Sequence, residues 1–344
     1  MNHTRRKTSP VLDIARGLGM PLSADPIAYL VAHCRRLVDR WVRDYGPRSL
    51  RELLSTAAAK IGVVVEEVHQ DWDLQEISQR YLAQGEGSFA RIGSELDQRT
   101  FALTIHLRRP RNGCSHVAVI DCRGSKHARR WFSIWHEIVH LMLNPQLELD
   151  FRRTTAESKD PVEGMIDKIA GELAFYPPMY DSPLLSSGRP SLSGLETHRK
   201  LLSPEASREA AYATAVSRIS RPALFLVAGL ALKASEQRAL ESRRPPAVSP
   251  TPKLRVLRTA GSENAKAAGL FIPYHHRVPP SSMIYRLFHQ QFDSPPDGIC
   301  RQIENLDQWE DSTGRSLPSL PVVVEAIRNG TEVVFAIITT IEPQ

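Results

Sequence analysis

Between Gly124 and Pro145 the chain reads SKHARRWFSIWHEIVHLMLN, with no proline or glycine to break it. Such a run predicts a single helix of about four or five turns. Trp131, Phe132, Ile134, Trp135, Ile138, Val139, Leu141, Met142 and Leu143 make it strongly apolar, and H-E-I-V-H is set among them. Residues four apart share a helix face, so His136 and His140 can aim an imidazole nitrogen at one point. Zinc accepts such nitrogens at about 2.0–2.1 Å. Glu137 lies one step round the helix. There a carboxylate can take a proton from an activated water and pass it to a leaving amine.

Catalytic zinc needs a third protein ligand and one open position. The next helical pattern, DPVEGMIDKIAGELAF, begins with Asp160 as N-cap and Pro161 at the first helical position. An antiparallel return would bring its first turn, carrying Glu163, over the metal. Glu163 is the best-placed third ligand, with Glu157, Asp160 and Glu172 as the other acids nearby. Asp167, one turn further, is positioned to hydrogen-bond a ligating imidazole and set its tautomer. Tyr176, Tyr180, His198 and Tyr212 are candidates for a donor that stabilises a tetrahedral oxyanion.

The surrounding sequence predicts an α+β protein. Two amphipathic helices come first, over 26–42 and from Arg48. RTFALTIHLRR and HVAVIDCRG are β-rich runs separated by PRNGCS, and the second feeds directly into the H-E-I-V-H helix. Residues 176–194 are rich in Pro, Ser and Gly and read as a surface loop. Helical patterns resume near Pro204 and continue through PALFLVAGLAL, and SRRPPAVSPTPK, residues 242–253, reads as a linker. Beyond it come KLRVLRTA, a Ser281-capped segment SSMIYRLFHQQF, and two apolar runs joined at Asn329–Gly330. That dipeptide predicts a hairpin turn with positive φ at both residues. His275, His276 and His289 read as ordinary surface histidines. The expected organisation is a helical extension over 1–47, a core over 48–180, and a loop and helical subdomain over 181–241. The linker 242–253 then leads to a small α+β module over 254–344, with a sensor or a partner-binding role.

A net charge of +6 permits contact with nucleic acid, but the basic residues come in scattered pairs such as Arg129–Arg130 and Arg243–Arg244. A solvated surface is expected, and direct nucleic-acid binding is not. Cys34, Cys114, Cys122 and Cys300 include no C-x-x-C pair, which fits reduced cytosolic thiols. Asp13 and Arg16 interrupt the only apolar stretch near the N-terminus, and PALFLVAGLAL is too short to span a bilayer. Cytoplasmic residence without membrane attachment is expected.

RWFSIWHEIVHLML from Arg130 and EGMIDKIAGELAFYP from Glu163 together resemble the ImmA/IrrE metallopeptidases, bacterial cytoplasmic zincins with the pattern R-x-F-T-x-A-H-E-x-G-H-x-x-L followed by E-x-x-A-N-x-F-A. The likeness extends over roughly residues 45–235. It implies a zincin-like metallopeptidase core holding one Zn2+ on His136, His140 and Glu163, with Glu137 as general base. It also implies an endopeptidase whose substrate is a transcriptional regulator of the helix-turn-helix repressor type. Trp135, Val139 and Asp167 stand where the family has Ala, Gly and Asn. One alternative is a DNA-binding or sensor protein with a structural or inactive zinc site, its reading helices lying within Ala206–Ala234. Another is a zinc hydrolase of a non-protein substrate.

Overall fold

The computed structural model describes residues 9–143, 151–154, 160–181, 189–240, 242, 248–290, 298–310 and 313–341. The architecture is mixed α+β. The chain forms two compact units, Met1–Tyr180 with Glu205–Ser207, and Asp181–Pro204 with Arg208–Gln344. Glu157 and residues 243–247 of the expected linker lie outside the described residues.

The first unit opens with α1 (Pro10–Gly17), α2 (Pro26–Tyr45) and α3 (Leu50–Ile61), followed by β1 (Val63–Val68), α4 (Asp71–Leu82) and the single turn α5 (Ile92–Glu95). It continues through β2 (Thr100–Arg111), β3 (Cys114–Asp121), α6 (Arg130–Leu143), β4 (Phe151–Thr154), α7 (Pro161–Ala174) and the single turn α8 (Pro177–Tyr180). Capping marks the helix starts: Asp25 accepts from the Ala28 N–H and Ser49 from the Glu52 N–H. The four strands lie in the order β1-β3-β2-β4, with β1 parallel to β3 and the other pairs antiparallel. Asn112 and Gly113, both at positive φ, make the two-residue turn between β2 and β3. Leu103, Ile105 and Leu107 of β2 pack with Val117 and Val119 of β3 and with Ile77 and Phe89. Period-two alternation therefore sends Thr104 to the opposite face of the sheet, where α6 lies against β2 and β3.

Two charge networks fix where α6 begins. Asp121, at the end of β3, accepts from Arg123 Nε (2.8 Å), Arg123 Nη2 (2.8 Å) and Lys126 Nζ (2.6 Å), which ties down the loop after the strand. Arg130, the first residue of α6, forks onto both carboxylate oxygens of Glu67 on β1. Helices α1 and α2 pack on α7.

The second unit comprises α9 (Leu192–Leu202), α10 (Arg208–Ser217), β5 (Ala223–Ala231), α11 (Ala234–Leu240), β6 (Lys253–Gly261), α12 (Met283–Phe288), β7 (Ile299–Asn305), β8 (Pro321–Asn329) and β9 (Val333–Thr340). Its five strands form an antiparallel sheet in the order β6-β5-β9-β8-β7.

Three sequence expectations change here. PALFLVAGLAL is not helical: Ala223–Ala231 is β5, in the interior of the second sheet. Leu224, Leu226 and Ala228 enter the core beneath α12, while Phe225 packs edge-to-face with Tyr212 (5.8 Å) and Phe335 (5.6 Å) on the other side. A strand buried on both faces is a continuous apolar run, which periodicity does not separate from a buried helix. The supposed helical subdomain over 181–241 thus supplies a strand to the sheet expected only from 254–344, and within Ala206–Ala234 only Arg208–Ser217 is helical before the strand begins. The β8–β9 hairpin forms, but Asn329 stays in the ladder opposite Val333 and only Gly330 takes positive φ. The loop is therefore one residue longer than the expected two-residue turn. Finally, the cap of α12 is Ser282, not Ser281. Among the described residues no helix is long and apolar enough to cross a membrane.

Candidate metal centre

Helix α6 is buried on all sides: His136 is 1% exposed, Glu137 0% and His140 4%. Helix α7 returns antiparallel beside it. Three contacts record the pairing: Trp131 Nε1 donates to the Ala174 carbonyl (3.0 Å), His136 meets Asp167, and His140 meets Glu163. Asp160 caps α7 by accepting from the Val162 N–H at 2.9 Å, and Pro161 follows at the first helical position, so Glu163 falls on the first turn. That turn faces His140.

The donor atoms converge. His136 Nε2 lies 3.1 Å from His140 Nε2 and 3.2 Å from Glu163 Oε2, and His140 Nε2 lies 3.4 Å from Glu163 Oε1. Donors bound at about 2.0–2.1 Å to a tetrahedral ion stand about 3.3 Å apart, and these separations, the two to Glu163 measured to different carboxylate oxygens, lie close to that spacing. His136 Nδ1 is 2.9 Å from Asp167 Oδ1. A carboxylate there calls for a proton on Nδ1, which leaves the Nε2 lone pair facing His140 and Glu163. Lone pairs gathered this closely repel unless a proton or a cation lies among them. The ligand chemistry, two imidazoles and a carboxylate, fits zinc. Burial raises the Glu163 carboxyl, but when the imidazoles of His136 and His140 are protonated their hydrogen bonds and charge outweigh it and hold the group well below the ordinary carboxylate range.

Glu137 is held from the sheet. Its Oε2 accepts from Thr104 Oγ1 at 2.7 Å, while its buried Oε1 has no hydrogen-bond partner among the described residues. A desolvated carboxylate oxygen without a donor is costly, by about 1–3 kcal/mol or more, and such orphans concentrate where a ligand or reacting group is expected. Thr104 was not singled out in the sequence. Its signal is a hydroxyl residue in the interior of FALTIHL, on the strand face opposite Leu103 and Ile105.

Of the other acids considered as ligands, Asp160 serves as the cap and Glu172 pairs with Arg35 at 3.7 Å. Tyr176 donates to Asp39 at 2.5 Å, and burial together with Asp39 pushes its hydroxyl up to about 12. Tyr180 is fully buried beside Phe175. In the second unit Tyr212 donates to Glu196 at 2.7 Å, and His198 is fully buried.

A second group of donor atoms lies in the first unit: His69, Cys122 and His127 come within 4.8 Å of one another. The parallel register pairs Val68 with Asp121, which sets the residues following β1 and β3 side by side. Both histidines are exposed, His69 is engaged by Glu67 at 3.3 Å, and burial with the nearby Glu67 pushes the Cys122 thiol up to about 12. A protonated thiol is a poor ligand, so the His136–His140–Glu163 group is the better metal centre.

Compared with known proteins, the chain matches no family model, and no curated protein sequence matches it.

Proposed function

We propose that the chain is a zinc-dependent endopeptidase with a zincin-like core. In this reading His136, His140 and Glu163 hold one Zn2+, Asp167 orients His136, and Glu137 is the general base. The reading rests most heavily on one observation: two imidazole nitrogens and a carboxylate meet at 3.1–3.4 Å beside a buried glutamate with one unpartnered oxygen. Likeness of RWFSIWHEIVHLML and EGMIDKIAGELAFYP to the ImmA/IrrE pattern further supports it and suggests a helix-turn-helix repressor as substrate, cut in the cytoplasm.

When bound, zinc supplies Lewis acidity at the scissile carbonyl and lowers the pKa of its water towards about 7. The chain's own residues do the rest. Thr104 fixes one oxygen of Glu137, leaving Oε1 to accept the proton of the attacking water. The same carboxyl then donates that proton to the leaving amine, so Glu137 ends the cycle ionised. The apolar walls of α6 keep bulk water from competing for the carboxylate.

Metal analysis of purified protein, alongside cleavage of a candidate helix-turn-helix repressor, tests the reading. Wild type should carry zinc at the His136–His140–Glu163 centre, Glu163→Gln should lose it, and Glu137→Gln should keep it while losing about 10²–10⁴-fold of activity. Wild-type protein that takes up no zinc at this centre after loading overturns the proposal.

A further inference from the structure

The second unit contains a cavity of about 680 Å³ beside its edge strand β6, within the range of small-molecule sites. Its lining is strongly basic. Lys253 and Arg255 reach it from β6, Lys233 and Arg238 from α11 and the residue before it, and Arg277 from the segment that bridges Arg255. Glu310 is the only carboxylate among the described lining residues. None of these five cations has an ion pair among the described residues.

Arg255 carries the argument. Leu254 and Val256 on either side of it point into the core, and Arg255 is itself only 3% exposed. Its Nη1 donates to the His275 carbonyl at 3.1 Å, and its Nε has no partner among the described residues. A buried guanidinium satisfied by one backbone carbonyl is an uncompensated charge, and folded proteins retain such groups where a counter-charge arrives. The wall opposite is built with strain: His275 sits at φ +66, a left-handed conformation uncommon for a side-chain-bearing residue, and is held there by its N–H to the Val256 carbonyl at 2.8 Å. His275 and His276, expected to be ordinary surface histidines, are half-buried cavity residues, each with a buried ring nitrogen lacking a partner. At the rim, Tyr274 is 55% exposed, with the His275 ring tilted against it at a centroid distance of 3.8 Å and the rest of its ring open to the cavity mouth.

We propose that this cavity binds a small phosphorylated ligand bearing an aromatic ring, a nucleotide in chemical class, with its phosphates on the Arg255, Arg277 and Lys253 side and its ring on Tyr274. Clustered guanidinium groups match phosphate oxygens in geometry and charge. Stacking on tyrosine accepts any base, because every base has a π face. The inference does not depend on the metal centre.

Calorimetric titration of the full chain with ADP, pyrophosphate and a single-stranded oligonucleotide tests it. ADP should bind and weaken as salt rises. The exposed pair Lys253→Ala/Arg277→Ala should weaken both ADP and pyrophosphate at least tenfold without changing the ligand-free melting temperature. Tyr274→Ala should weaken ADP alone. No binding of ADP and pyrophosphate at millimolar concentration, or equal binding by wild type and the double variant, overturns the proposal. So does an oligonucleotide that binds more tightly than ADP, which would make the basic surface a nucleic-acid contact.

Discussion

Thr104 Oγ1 donates to Glu137 Oε2 at 2.7 Å across the interface between β2 and α6, while Glu137 Oε1 is buried without a partner. The sheet thus holds one oxygen of the carboxylate and leaves the other for chemistry. Thr104 is a positioning residue, not a catalytic one. Thr104→Val keeps the volume and removes the donor, so kcat should fall about 10–100-fold while KM and zinc content stay unchanged. Thr104→Ser should restore most of the rate. Equal kcat in wild type and Thr104→Val would separate this hydrogen bond from the reaction.

Asp167 is half exposed and meets His136 Nδ1 at 2.9 Å. Because it acts on the tautomer and orientation of a ligand, Asp167→Ala should weaken zinc about 10–100-fold. Its exposure argues that thermal stability of the metal-free protein will scarcely change. Competition with a chromophoric chelator reads the affinity directly, and an unchanged dissociation constant would remove Asp167 from the site.

Metal removal should destabilise the wild type. An ion bound only by the folded state adds about 2.7 kcal/mol when its free concentration is 100 times the dissociation constant. For a protein of this size that corresponds to a melting-temperature drop of several degrees on chelation. Glu163→Gln, lacking one of the three converging donors, should melt at the same temperature with and without chelator.

How far the sequence revealed these features depended on the kind of information involved. The α6–α7 pairing was legible because H-E-I-V-H fixes a helix face by its own spacing and Pro161 fixes where the answering helix begins, so Glu163 and Asp167 fall in register with His140 and His136. Thr104 was hidden because its role depends on strand parity and on which face α6 covers. The His69–Cys122–His127 group depends on the parallel β1–β3 register, a non-local pairing that no local pattern encodes. Pattern alone does not separate helix from strand at Ala223–Ala231, because burial on both faces erases the alternation that would distinguish them. Arg255 looks like any other arginine in KLRVLRTA until the edge of the sheet and residues 275–277 close around it.

Asp121 predicts an acid-dependent stability. Burial raises its carboxyl, but hydrogen bonds from Arg123 and Lys126 outweigh that and keep it below its ordinary value. The folded state therefore binds this proton less readily than the unfolded chain, whose aspartates titrate near about 3.9. The stabilisation is fully present above that range and is lost as pH falls through the folded value. Urea midpoints measured from pH 6 down to pH 3 should fall in the wild type. In Asp121→Asn they should start lower and fall less steeply, and parallel curves would show that the network adds no pH-dependent stability.

Gly62 and Gly46 make a matched pair for the last prediction. Both end helices in the left-handed conformation, at φ +73 after α3 and φ +60 after α2. A Cβ on Gly46 would meet nothing within 4 Å, whereas one on Gly62 would stand 2.7 Å from the Gly113 carbonyl in the β2–β3 turn. Gly46→Ala should therefore lose about 1–2 kcal/mol, the backbone contribution alone. Gly62→Ala carries the same backbone loss and must also push α3 away from the hairpin, for a total of about 2–4 kcal/mol. The obstructing atom is backbone in a two-residue turn, so no side-chain rotation relieves it. Chemical denaturation of the two variants reads the difference, and equal losses would mean that the hairpin yields to the added methyl group.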